Sequence, residues 1–64
     1  MTINDAEIST LTALIRREVE KLHMAQREGS YLNIIRTSSM IEDAARKIGW
    51  AAVEFERKER YFAS

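Results

Sequence analysis

The 64-residue chain contains no cysteine and no proline, only two glycines and one histidine. Without cysteine there is no disulfide framework. One histidine without thiolates leaves no ligand set for structural zinc. Without proline, and with glycine only at positions 29 and 49, almost nothing interrupts a helical pattern. Charge of one sign is also missing, because ten basic residues balance ten acidic ones. That neutrality argues against a general nucleic-acid or membrane-surface binder, which ordinarily carries excess positive charge. Long apolar runs are absent too. No nearly apolar stretch, Leu11 to Ile15 among them, is long enough to span a bilayer. The opening Met1-Thr-Ile-Asn-Asp-Ala-Glu is acidic where a secretory signal is basic, so a cytoplasmic protein is expected.

What is present is helical periodicity. Asn4 is placed to cap a first helix, with Glu7 completing a capping box and Ile3 stapling against Ile8. Thr2 with Asp5 offers a rival frame. Ile8, Leu11, Ile15, Val19, Leu22 and Gln26 then recur at spacings of three and four, an apolar stripe that turns polar at its end. Gly29 suits the left-handed position after a helix, and Ser30 suits the cap of the next. A second helix is expected from about Tyr31 to about Tyr61, after a first over about residues 4–28.

The second helix has the stronger pattern. Ile34, Ile41, Ile48, Phe55 and Phe62 repeat every seven residues, the period that holds a seam against a partner helix. Between them lie small residues: Thr37 and Ser38, Ala44 and Ala45, Ala51 and Ala52. Large residues alternating with alanine pairs permit close helix approach. Glu42 with Arg46, Asp43 with Lys47, Glu54 with Lys58 and Glu56 with Arg60 are acid-before-base pairs four apart, the favourable order on a solvated face.

The fold expected is therefore all-α, a two-helix antiparallel hairpin in one domain. Folding about Gly29 and Ser30 sets Ile34 beside Ala25, Ile41 beside Glu18 and Val19, Ile48 beside Leu11, and Phe55 near Asn4. Residues beyond Phe55 run past the first helix. Leaving Phe55 and Phe62 in water forfeits about 1.5–3 kcal/mol each, a large loss for so small a chain. A homodimer resembling a four-helix bundle is expected, with Ile41, Ile48, Phe55 and Phe62 at its interface.

Trp50 stands apart. At 100° per residue it points away from the Ile34–Phe62 seam; the alternative is a rotated seam with Trp50 packed in the dimer core. Arg46, Trp50, Arg57 and Tyr61 lie at spacings that keep them on one flank, the aromatic-with-arginine composition of interface anchors, and Arg46 or Arg57 is placed to stack on the indole. Thr37, Ser38 and Ser39 form a polar notch whose hydroxyls are expected to bond helix carbonyls or Gln26. His23 and Met24 carry no expected role. Arg16, Arg17 and Lys21, interleaved with Glu18 and Glu20, read as a solvated face.

No phosphate-binding glycine loop, HExxH, CxxC or nucleophile elbow occurs, so no catalytic, cofactor-binding or metal residue is assigned and no small-molecule substrate or membrane partner is expected. The stretch Ser38-Ser-Met-Ile-Glu42 resembles the Ser-x-x-Leu-Asp segment of the sporulation-type aspartyl-phosphatases, themselves helical hairpins. Ile41 and Glu42 replace leucine and aspartate there, and the glutamine after the serine is missing. In layout the chain is similar to helical-hairpin plasmid regulators that dimerise and bind RNA loops, without a shared motif. Neither likeness transfers a function. The expectation is a non-enzymatic module that binds a protein target, of the kind phage and mobile-element accessory factors use to inhibit or redirect a host protein. The alternative is a dimeric nucleic-acid-binding regulator using Arg16, Arg17, Lys21, Arg36, Arg46 and Arg57.

Overall fold

A computed structural model describes residues 5–63, the side chains of Phe62 and Ala63 excepted. Two helices pack against each other, α1 over Ala6–Glu28 and α2 over Tyr31–Ala63, and the described residues contain no strand.

The helix ends follow local chemistry. Asp5 caps α1, its Oδ1 accepting the Ile8 N–H at 3.0 Å. The frame therefore differs from the expected Asn4 cap, a residue outside those described. With Asp5 as cap, Glu7 falls at the second helical position, so it complements the helix dipole and forms no capping box. At the other end Gly29 adopts φ 69°, ψ 28°. Its N–H bonds the Gln26 carbonyl at 3.2 Å while the Ser30 N–H reaches Ala25 O at 3.0 Å, the paired bonds of a Schellman ending. Ser30 then caps α2, its hydroxyl accepting the Asn33 N–H at 3.4 Å. One glycine and one serine turn the chain.

The buried residues are small or polar: Ala25, Ala44, Ala51, Thr37 and Glu18. Lettering heptads from Ile34 as position a, Thr37, Ala44 and Ala51 are successive d positions of α2. On α1 the seam runs through Ile8, Leu11, Ile15, Glu18, Leu22 and Ala25, at alternating spacings of three and four. In the antiparallel register set by the Gly29–Ser30 turn, each α2 isoleucine is level with a d position of α1, and each small d residue of α2 with Leu22, Ile15 or Ile8. This corrects the stripe expected through Val19 and Gln26. Val19 is half-buried at the margin, Gln26 is exposed, and Glu18 and Ala25 take the seam places. The two lines part after Ile15, where the two successive steps of four from Leu11 to Val19 carry the expected stripe from the a and d lines onto the a and e lines, while strict alternation of three and four from Ile8 reaches Glu18 and Ala25.

The large apolar residues behave differently. Ile15, Leu22, Ile34, Ile41, Ile48 and Phe55 are all only half-buried, and no large side chain is fully enclosed. They occupy the a positions, beside Thr12, Val19, Ser38 and Ala52 at e, which are half-buried as well. The hairpin's core is consequently most enclosed along its d line, where all but Leu11 of the positions packed between the helices are buried, and more open along its a and e lines. The shape agrees. The molecule measures 53 × 17 × 14 Å, with a radius of gyration of 15.3 Å against about 11 Å for a compact domain of this length.

Candidate interaction surface

The α2 face away from α1 carries three heptad lines, c, f and g. Trp50 lies on c, Arg46 and Val53 on f, Met40 and Tyr61 on g, and Arg57 on c one heptad after Trp50. The structure leaves Trp50 64% exposed, and Arg46, Arg57, Tyr61, Met40 and Val53 are exposed around it. All four flank residues singled out in the sequence therefore lie on the outward side of one helix. Met40 and Val53 extend the flank with apolar area that the sequence reading left out.

Charge is sorted by face. Arg36, Arg46, Lys47, Arg57 and Arg60 occupy the c, f and g lines, where the only carboxylates are Asp43 and Glu54. The b and e lines hold Glu42, Glu56 and Glu59 and no cation. Overall neutrality thus hides a basic aromatic flank and an acidic flank on one helix. Pairing modulates this. Lys47 reaches Asp43 at 3.0 Å and Arg60 pairs with Glu56, both as expected four residues apart. Glu54 pairs with Arg57 at 3.6 Å in place of Lys58, which sits on the d line around the helix. Arg57 is therefore turned toward Glu54. The expected Glu42–Arg46 ion pair does not form, so among the described residues both groups remain without an ionic partner.

Of the expected dimer positions, Ile41, Ile48 and Phe55 are half-buried on the a line, and the Phe62 side chain lies outside the described residues. One feature was missed in the sequence. Glu18 is 5% exposed in the α1 seam, where its Oε1 accepts from Lys21 Nζ at 3.1 Å. The signal was available in the unbroken three–four spacing, which requires position 18 on the buried face whatever its residue type. The hydroxyls that bond back to helix carbonyls are those of Thr10 and Thr12 on α1; Thr37 and Ser38 instead sit in the helix–helix contact by virtue of their small size.

The concavities are shallow. One groove of about 310 Å³ runs beside the seam near the turn, lined by Lys21, Met24, Ala25, Glu28, Asn33 and Thr37. A second, of about 430 Å³, lies among Glu20, His23, Met24 and Arg27. Both are open to solvent. The described residues contain no group of three or more metal-ligating side chains, and no helix among them is long and apolar enough to cross a membrane. Compared with family models, curated proteins and solved structures, the chain matches none.

Proposed function

We propose that this chain is a non-enzymatic interaction protein that works as a homodimer in the cytoplasm and binds a protein target through the outward flank of α2. The supporting observation is Trp50, 64% exposed at the centre of a rigid helix, with Arg46 and Arg57 beside it and Met40, Val53 and Tyr61 around it. The hairpin does not use this side chain for its own packing. A large, stiff aromatic body flanked by planar donors is the composition of binding anchors, which fill pockets on a partner at small entropic cost. Such a protein acts by occupying a surface, and it inhibits or redirects the target, as phage-type accessory factors do. The basic character of the flank selects a target with acidic residues around an apolar pocket.

The same cations support a second reading, in which the flank lies along a nucleic-acid backbone. Asp43 and Glu54 within the flank, and the pairing of Arg57 and Arg60 with glutamates, count against it. The test is a comparison of immobilised wild type and Trp50→Ala in host lysate, with and without nuclease. A discrete protein retained by the wild type, resistant to nuclease and lost from Trp50→Ala at unchanged helicity supports the protein reading. Loss of every bound species on nuclease treatment replaces it with the second.

A further inference from the structure

The open side of the core identifies what covers it and in which orientation. A compact monomer of 7.4 kDa exposes about 4,200 Å², whereas this hairpin exposes 5531 Å². The excess, on the order of 1,000 Å² per chain, is the area one partner buries in an obligate helical dimer. The half-buried a and e lines of both helices offer an apolar face to such a partner, on the side opposite the basic Trp50 flank. We propose that a second copy of this chain covers this face with its turn at the same end, so that α2 of each copy packs beside α1 of the other. The inference rests on the homodimer proposed above and deepens it.

Two arrangements are available to a pair of antiparallel hairpins with two-fold symmetry. With the axis along the bundle, each α2 neighbours the other copy's α1 and the turns coincide. With the axis across the bundle, α1 neighbours α1, α2 neighbours α2, and the turns lie at opposite ends. The flanking charges discriminate. The b and e lines of α2 that border this face carry Glu42, Glu56 and Glu59 and no cation. The corresponding b line of α1 carries Ser9, Arg16 and His23 and no carboxylate.

In the first arrangement Glu42 of one copy is level with Arg16 of the other, because the register that sets Ile41 against Glu18 holds for both copies. Both groups are exposed and lack an ionic partner among the described residues. Symmetry makes the contact twice. In the second arrangement Arg16, near the middle of the α1 seam, approaches its own counterpart across the axis, and the α2 glutamates face one another uncompensated. Shape points the same way. Small residues, Ser38, Ala45, Gly49 and Ala52, line this side of α2 and permit close approach, while α1 offers the larger Ile15, Val19 and Leu22.

Neutralising position 16 gives opposite signs for the two arrangements: Arg16→Gln, measured alongside the reversals below, loses an attraction in the first and a like-charge repulsion in the second. Sedimentation equilibrium on the full chain measures the dimer dissociation constant of the wild type, Arg16→Glu, Glu42→Arg and the double variant, with circular dichroism recording helicity. In the proposed dimer each single reversal weakens association about threefold to tenfold through two like-charge contacts, and the double variant recovers wild-type affinity. That recovery also separates the intermolecular effect from any cost of placing a glutamate four residues before Glu20. Tighter association of Arg16→Gln overturns the arrangement in favour of α1 against α1 while leaving the homodimer intact. Unchanged affinity in both single variants overturns the Glu42–Arg16 contact. A species of 7.4 kDa at every concentration shows that no second copy covers the face and removes the dimer as well.

Discussion

Replacing Glu18 with leucine is predicted to stabilise the protein. Glu18 occupies a seam position opposite Ile41 and is 5% exposed, so its carboxylate has lost nearly all its water. In return it accepts one bond, from Lys21 Nζ at 3.1 Å, although a carboxylate has room for about four. Lys21 is 59% exposed, so solvent screens the pair and its Coulomb gain is modest. Replacing a buried ion pair by a packed apolar side chain of similar size stabilises by about 1–4 kcal/mol. Because one partner here is solvated, the lower part of that range applies, about 1–2 kcal/mol. For a domain this small that raises Tm by roughly 5–15 °C. Lys21→Met removes the one partner Glu18 has among the described residues, and a loss of about 1 kcal/mol follows. The assay is thermal unfolding by circular dichroism at one fixed protein concentration, since association shifts the midpoint. A lower Tm for Glu18→Leu would refute the reasoning, showing that the carboxylate holds a contact worth more than its desolvation costs.

Three further outcomes follow from the same geometry. Gly29→Ala meets no atom within 4 Å of its new methyl group, so its cost is backbone strain alone at φ 69°, about 1–2 kcal/mol in urea titration with an unchanged m-value. Ile48→Asp places an unpaired charge on the a line against Leu11 and is expected to remove about 3 kcal/mol or more, seen as loss of helicity at room temperature. Trp50→Ala should leave Tm within about 2 °C of wild type while weakening target binding by ~2 kcal/mol, roughly thirtyfold. A melted Trp50→Ala would place the indole in a core.

The features legible in the sequence were those set by local chemistry. Gly29 and Ser30 end one helix and begin the next through bonds confined to residues 25–34, so no distant contact was needed to locate them. The seven-residue repeat of α2 was legible for the same reason: it persists over several turns and specifies one face whatever lies opposite. The α1 seam was misjudged because the apolar residue at 19 outweighed the spacing, whereas an antiparallel partner selects by geometry and accepts Glu18 at the buried place. The start of α1 was ambiguous because Asn4 and Asp5 are adjacent and both are good caps. The choice depends on where the chain leaves the hairpin. Ion pairing was partly legible. Four-residue spacing identifies candidates, but Glu54 has Arg57 and Lys58 within reach, and only their places around the helix show that Lys58 lies toward the seam. For the candidate surface, the outward direction of Trp50 followed from counting residues, while the sorting of bases to one flank and acids to the other was concealed by a net charge of zero.

The division of α2 into a face for a second copy and an opposite face for a target is tested most directly by the accessibility of Trp50, the only tryptophan in the chain. Its fluorescence is recorded at protein concentrations above and below the dimer dissociation constant, with a neutral quencher such as acrylamide in the solution. The account predicts red-shifted emission and near-complete quencher access that stay constant across dimerisation, because the indole lies on the far side from the a and e lines. Blue-shifted emission and protection that appear as the dimer forms would contradict it, and would place Trp50 between the two copies.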